Sequence, residues 1–316
     1  MLGRIVRGVK EFFDVCVEED NEYRDKIIPC NHRGVFRKDS LKLKPLVGDV
    51  ADIEINCENR DETETLGIIN KIYRRKNLLC RPPVANLDLL FVVLSIKSPS
   101  PSYFFADKLT AAAIENDIVP VIIINKTDLN PDDNALYDTY TKTGFKTIKT
   151  SAAQQSEKSS GCDEIKNEMR DKICVFAGES GVGKSSILNL LFGHLKLEVG
   201  SVSDKTKRGR HTTRTVEFFK NDLGGYVADT PGFGALDFEG DGHILKENLI
   251  FDFPDLLRYA QDCRYAKCAH IKEEGCQVIE AVRRGEAAKS RHESYAALYA
   301  ILKNRKFKKP EDRAGK

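Results

Sequence analysis

Eight residues, Gly178-Glu179-Ser180-Gly181-Val182-Gly183-Lys184-Ser185, constrain this chain more than any other stretch. They spell Gly, four residues, then Gly-Lys-Ser, a pattern that carries meaning only between a strand and a helix. Both flanks fit: Ile173 to Phe176 is an apolar run, and Ser186 to Phe192 reads as the opening of a helix. The glycines let backbone N–H groups turn onto a phosphate chain with no Cβ in the way. The helix N-terminus adds the positive end of its dipole. Gly178 to Ser186 is therefore expected to cradle a nucleotide, with Lys184 on the outer phosphates and Ser185 on a Mg²⁺ ion.

A second motif names the base. Leu87 to Ile96 and Val121 to Ile124 read as buried strands, with a helix over residues 102–116 between them. The second strand runs into Asn125-Lys126-Thr127-Asp128. Guanine offers two donors on one edge, N1–H and the 2-amino group, and a single carboxylate at Asp128 can accept both. Adenine lacks the amino group and would leave that carboxylate unpaired, at a cost of about 1–3 kcal/mol or more. Asn125 is expected to brace neighbouring loops and the Lys126 stem to cover the base face. Ser151-Ala152, about 25 residues after Asn125 and behind one further strand, suits a backbone N–H aimed at the guanine carbonyl. Asp163 to Asp171 is expected to form a short helix leading into the phosphate-loop strand.

Downstream lies a basic, aperiodic segment, Ser201 to Thr215, read as a mobile loop. It holds Thr212 and Thr213, either of which could close on Mg²⁺. Two further strands follow, Val216 to Phe219 and Gly225 to Ala228. The second ends at Asp229-Thr230-Pro231-Gly232, where Asp229 would hold Mg²⁺ through water and the Gly232 N–H would meet the γ-phosphate. Ordinary small GTPases place a water-orienting glutamine next; here the residue is Phe233, which cannot orient water. His211 is one candidate to take over that role, and contact with RNA or phosphate is its alternative.

Residues 2–75 read as short strands of period two, such as Ile53 and Ile55 alternating with Asp52 and Glu54. About five strands in this length suit a small closed barrel of the oligonucleotide-binding type. Arg4, Arg7, Lys10, Arg33, Arg37 and Lys38 are its candidates to face RNA, on barrel type rather than charge. The net charge of +2, from 50 basic and 48 acidic residues, gives no global field that would announce nucleic acid. Tyr73 to Asn86 reads as a connector. No stretch is long and apolar enough to span a bilayer, and no leader pattern opens the chain; a cytoplasmic protein is expected.

Near the other end, Cys263, Cys268, His270 and Cys276 form C-x4-C-x-H-x5-C. Three thiolates and an imidazole suit a closed, structural Zn²⁺ site, although spacing alone leaves open unrelated reduced thiols or a disulfide. Helices are expected over Gln277 to Arg284 and Ala287 to Lys306. The stripe Tyr295, Leu298, Tyr299, Leu302 reads as a core-facing side, and a basic tail follows from Lys303.

The motif order is the final clue. The guanine motif precedes the phosphate loop, so the chain has the parts of a GTPase with the start moved, a circular permutation. In that order it resembles the circularly permuted, ribosome small-subunit-dependent GTPases, the RsgA or YjeQ family. The barrel, Asn125 to Asp128, Gly178 to Ser185, Gly209-Arg210-His211-Thr212-Thr213, Asp229 to Phe233 and the cysteine cluster carry the resemblance across nearly the whole chain. It implies an oligonucleotide-binding-type barrel over residues 1–75, a permuted α/β phosphate-loop GTPase domain over 76–240, and a helical zinc-binding domain over 241–316. It implies a GTPase that binds GTP and GDP with Mg²⁺ and carries one structural Zn²⁺. The partner it implies is the small ribosomal subunit, rRNA and ribosomal proteins, late in assembly, with hydrolysis faster on the subunit. A monomer free of membrane is expected. Where the family usually has a third loop threonine this chain has Arg214, so the choice between Thr212 and Thr213 stays open. A phosphate-loop small-molecule kinase, or an RNA-binding protein with a vestigial nucleotide site, is the rival reading.

Overall fold

A computed structural model describes residues 1–32, 44–55, 67–80, 82–152, 161–193, 216–229 and 244–304. His211, Thr212, Thr213, Gly232, Arg33, Arg37, Lys38 and the tail beyond Asn304 lie outside the described residues.

The first five strands close on themselves. They are β1 (Leu2–Val9), β2 (Phe12–Val17), β3 (Ile27–His32), β4 (Val50–Ile55) and β5 (Gly67–Ile72). Pairing runs β1-β2-β3-β5-β4, and β4 returns to β1, with β3 and β5 parallel. The inward set is Ile5, Phe13, Val15, Val17, Ile28, Ala51, Ile53 and Ile69, all buried. The expected alternation holds except at Val6 and Cys16, which are also buried. Val6 and Cys16 lie on the barrel's outer face and join the apolar core of the next domain. Arg4, read as a candidate for RNA, is instead used internally. Its Nε donates to Glu18 Oε1 at 2.7 Å, its Nη1 to Gly48 O at 3.1 Å, and its guanidinium lies over Tyr226.

Tyr73 to Asn86 is more than a connector, because it packs. It forms a hairpin, β6 (Leu78–Cys80) and β7 (Pro83–Ala85), whose Val84 and Ala85 are fully buried. Arg75 forks onto buried Asp49, Nε to Oδ1 at 2.7 Å and Nη2 to Oδ2 at 2.8 Å. At Gly48, with φ +92°, a Cβ would stand 2.0 Å from Ala85 O, so only glycine lets the two segments meet.

The central sheet continues from the barrel through β1 and β12 (Glu217–Lys220), paired at Arg7 and Glu217. Its remaining strands are β8 (Leu89–Ser95), β9 (Val119–Asn125), β10 (Lys146–Lys149), β11 (Ile173–Ala177) and β13 (Tyr226–Asp229). Spatial order is β10-β9-β8-β11-β13-β12, parallel except for β12. The helices are α1 (Tyr103–Glu115), α2 (Ala135–Lys142), α3 (Cys162–Met169) and α4 (Lys184–Leu191). Along β8, Leu90, Val92 and Leu94 face α1 and α2, while Leu89, Phe91 and Val93 face α3 and α4. Burial on both faces explains the unbroken apolar runs. The strand order reverses between β8 and β11, the position at which doubly wound sheets bind ligands beyond the carboxyl ends of their strands.

The last segment adds a 3-10 turn (Leu249–Asp252), α5 (Pro254–Ala260), α6 (Gln277–Arg283) and α7 (Lys289–Lys303). The α7 stripe is core as expected: Tyr295, Leu298 and Leu302 are buried. It packs on α1, whose Ala106, Ala111 and Ala113 allow close approach. The two segments therefore share one apolar core.

One group in this junction makes stability depend on pH. Asp252 is 2% exposed. Burial, with Glu115 beside it, pushes its carboxyl up to about 8. Its folded pKa lies above the unfolded value of about 4, so the native state holds the extra proton. Its stabilising contribution is complete below about pH 4 and is lost as pH rises through about 8, at about 1.4 kcal/mol per unit. Asp252→Asn keeps a donor toward Glu115 without the ionisation. The variant is expected to flatten the fall in stability between pH 5 and 8.5 and to exceed the parent chain at the alkaline end. Urea unfolding at the two pH values checks this, and parallel curves for both chains would contradict it.

Candidate functional site

Every nucleotide-site motif that the described residues include lies at the carboxyl end of a parallel strand. Asn125 ends β9, Thr150 follows β10, Gly178 follows β11 and Asp229 ends β13. The guanine motif and the phosphate loop meet directly. Asn125 is 1% exposed. Its Nδ2 donates to Val182 O at 2.8 Å, and its Oδ1 accepts from Ala152 N–H at 3.1 Å. One buried amide thus holds three loops together, the bracing role expected for it. Gly183, at φ +98°, is required by the same contact, since a Cβ there would stand 2.2 Å from Asn125 Nδ2.

Lys126 sits in the left-handed region at φ 62°. Its ammonium donates to Gly181 O at 2.7 Å and also to Ser98 O. The β8–α1 loop is thereby tied to the phosphate loop, a contact that sequence reasoning missed. Its only signal was the Ser-Pro-rich spelling of residues 98–101. Ser95 Oγ, fully buried, accepts Ser98 N–H at 3.1 Å and sets that turn. Thr127 joins the β10 end, its Oγ1 donating to Thr150 O at 3.1 Å. Ser151 Oγ donates to Asp128 Oδ1. A hydroxyl that anchors one carboxylate oxygen fixes the plane in which the carboxylate can accept further donors. Within the Ser151-Ala152 element, expected to aim a backbone N–H at the guanine carbonyl, the Ala152 N–H donates to Asn125 Oδ1.

In the cradle, Lys184 Nζ donates to Gly178 O at 2.8 Å and Glu179 O at 2.9 Å. The ammonium caps the loop's own carbonyls, and an incoming phosphate would compete for it. Gly183 caps α4 without any side-chain hydrogen bond, so the first-turn N–H groups keep their donor capacity toward an anion. Ser185 and Ser186 are half-buried in that turn. The Ser185 hydroxyl is a hard oxygen donor, the type that suits Mg²⁺.

The C-terminal cluster is a second site. The ligand atoms of Cys263, Cys268, His270 and Cys276 all lie within 4.8 Å of one another. Cys263 and Cys276 Sγ are 3.8 Å apart, and His270 Nδ1 is 3.5 Å and 3.6 Å from them. A tetrahedron with bonds of about 2.3 Å to sulfur and 2.0 Å to nitrogen has edges of about 3.8 and 3.5 Å. The measured distances fit that figure, so the cluster can hold a metal ion. Its surroundings are set as well. Glu273 accepts N–H bonds from Ala269, Ile271 and Lys272, Gln277 N–H donates to Cys263 Sγ, and Tyr295 O–H donates to Ala269 O. By contrast Cys16, Cys30, Cys162 and Cys174 are separate buried thiols. Burial pushes Cys30 up to about 12 and raises Cys174 further, which makes both poor nucleophiles.

Comparisons with known proteins extend over the same length. The RsgA GTPase family matches residues 72–239, and the RsgA N-terminal domain matches residues 2–63. A Caldanaerobacter subterraneus protein named small ribosomal subunit biogenesis GTPase RsgA is 41% identical over 305 residues, covering 96% of each chain. The Bacillus subtilis protein of that name is 37% identical over 310 residues, covering 96% of this chain and 98% of its own. Among solved structures, YloQ, described as a circularly permuted GTPase, superposes with a TM-score of 0.74 at 34% identity, covering 98% of this chain and 96% of that one. YjeQ from Thermotoga maritima gives 0.75 at 34% identity, covering 96% and 99%.

Proposed function

We infer function from one premise: the chain belongs to the RsgA family of circularly permuted GTPases. It is a GTP-hydrolysing enzyme. Its role is in biogenesis of the small ribosomal subunit, the role that the relatives' names give them. The observation that carries the reading is the pair of bonds from Asn125 and Lys126 to the phosphate loop, which set a base-reading motif against a phosphate cradle.

The residues divide the work. Asp128, held by Ser151, accepts guanine N1–H and the 2-amino group. Lys126 keeps the β8–α1 loop and the phosphate loop in register beside the base. Lys184 exchanges the Gly178 and Glu179 carbonyls for phosphate oxygens, and the α4 N-terminus adds backbone donors. Mg²⁺ bound with GTP would neutralise charge on the β- and γ-phosphates; Ser185, Asp229 and Thr212 or Thr213 are the residues that would hold it. With Phe233 in the glutamine position, the water-orienting group is missing from its usual place, and His211 is the candidate. The expected consequence is slow basal turnover raised by the small subunit. Phosphate release from GTP, with and without purified small subunits, tests this. Stimulation of tenfold or more is expected, and identical rates would remove the subunit from the reaction. The subunit should also bind more tightly with GTP than with GDP, because only a difference in affinity can drive a switch.

The Cys263, Cys268, His270 and Cys276 set is read as a structural Zn²⁺ site, closed by three thiolates and one imidazole. One zinc per chain is expected by elemental analysis. Stripping it should unfold the segment from Cys263 to Cys276 and lower the melting temperature by about 10 °C or more, a loss of several kcal/mol. A zinc-free chain that melts like the parent would contradict the assignment. Among the described residues no helix is long and apolar enough to cross a membrane. A cytoplasmic monomer is the state this reading favours.

A further inference from the structure

A cleft of ≈ 740 Å³, lined in part by Cys263, Cys268 and His270, opens between the 3-10 turn Leu249–Asp252 and the loop that carries those three residues. Its size is that of a small-ligand site, within the usual range of about 300–1,000 Å³. The floor is Tyr295 and Tyr299 of α7. The walls present two exposed rings, Phe251 at 59% and Tyr265 at 48% exposure. Exposed aromatic rings facing a concave space are not explained by folding, which would bury them.

The polar lining identifies the occupant. Lys246, on the 3-10-turn side, and Lys267, on the cysteine loop, both line it, with Glu247 paired to Lys246 at 3.6 Å and Gln261 also in the lining. The Arg264 guanidinium lies 5.5 Å from the centroid of the Tyr265 ring, extending a cation–π layer. Aromatic faces that accept any base, flanked by lysines that accept phosphates, are how proteins hold unpaired nucleotides. A protein ligand would more simply meet a continuous apolar surface than rings separated by ammonium groups.

We propose that this cleft takes an unpaired nucleotide of RNA, its base stacked on Phe251 or Tyr265 and its phosphates on Lys246 and Lys267. The inference deepens the reading above by assigning part of the subunit contact to one place, and it rests on that reading for the source of the RNA. Glu273 and Tyr295 brace the backbone at Ala269 and Ile271, which lies along the cysteine-loop side of the cleft.

The test uses the full-length, zinc-loaded chain with two probes: a fluorescent single-stranded oligoribonucleotide of mixed sequence, and purified small subunits. Phe251→Ala and Tyr265→Ala are compared with the parent chain. Both positions are exposed, and zinc content, melting temperature and basal GTP turnover serve as controls for folding. Each variant is expected to bind both probes about 5- to 100-fold more weakly. Tyr265→Phe is expected to restore the Tyr265 loss, since stacking needs only the ring. Lys246→Gln and Lys267→Gln should each lower the salt dependence of oligonucleotide binding by about one ion. Unchanged affinity for both probes in the ring variants overturns the proposal. So does a loss on subunits with none on the oligonucleotide, which would assign the cleft to a ribosomal protein. If subunits leave GTP turnover unchanged yet the ring variants lose the oligonucleotide, the subunit reading fails and the cleft assignment stands.

Discussion

Asp128→Asn is expected to weaken GTP binding by about a hundredfold or more and to shift preference toward xanthosine triphosphate. In the parent chain the carboxylate offers only acceptors, and guanine's N1–H and 2-amino group offer only donors. The asparagine amide keeps one acceptor but turns a donor toward the 2-amino donor. One charge-assisted bond, worth about 1.5–3 kcal/mol, is lost, and two donors face each other out of water. Together these exceed the roughly 2.7 kcal/mol that a hundredfold change requires. Xanthine has a carbonyl in place of the amino group, so the amide pairs with it without conflict. Ser151, which holds Asp128 Oδ1, fixes the plane of the side chain in both cases. Competition of unlabelled GTP and xanthosine triphosphate against a fluorescent guanine nucleotide measures the shift. A variant that keeps the parent preference would place the base somewhere other than against Asp128.

Arg291→Ala should cost about 3–5 kcal/mol of stability, a large part of the 5–15 kcal/mol that a domain usually has. The guanidinium is fully buried. Its Nη1 donates to Asp107 Oδ1 at 2.8 Å and to Thr110 Oγ1 at 3.3 Å, while Nε and Nη2 fork onto Asp255 at 3.2 and 2.9 Å. The ring of Phe253 lies 4.5 Å beneath it, and Tyr140 O–H also donates to Asp107. Truncation leaves two carboxylates in an apolar core without their cation. The damage is expected at the junction of α7 with α1 and α5, where these partners converge. Urea unfolding should show the loss, and limited proteolysis should release the segment after residue 244 before the central sheet is cut. Arg291→Leu combined with Asp107→Asn and Asp255→Asn is expected to recover much of the stability, because removing the uncompensated charges removes most of the penalty. If Arg291→Ala unfolds at the same urea concentration as the parent chain, the buried triad is not what fastens the two segments.

The sequence reading of these two sites went unequally far. Asn125, Asp128, Lys184 and the four zinc-site candidates were legible because their chemistry demands fixed residue types at short spacing. Arg291 was not singled out. It precedes Tyr295 by one helical turn, on the same side as Leu298 and Leu302, and a charge in an apolar stripe was its only signal. Its partners are 36 and 184 residues away, so no local pattern pairs them. Arg4 failed in the opposite direction. A basic residue on a predicted RNA-binding barrel looks available until Glu18 and Gly48 O are found to hold it. The hairpin Leu78–Cys80 with Pro83–Ala85 was hidden by its two prolines and its basic flank, although burial of Val84 against the neighbouring core makes it structural.

By itself, the amino-acid order determined the GTPase motifs and their rotated order, the barrel strands and the grouping of Cys263, Cys268, His270 and Cys276 as candidate ligands. Each motif is read from periodicity or from short spacing, and their order is read directly along the chain. Tertiary structure alone decided that Asn125 and Lys126 clasp the phosphate loop across 55 or more residues of chain. It alone placed Arg291 between two aspartates and merged the cores of α1 and α7. It alone set Phe251 and Tyr265 about a common cleft. These contacts join residues far apart in the chain, and only packing of finished elements brings such partners within hydrogen-bonding or stacking range.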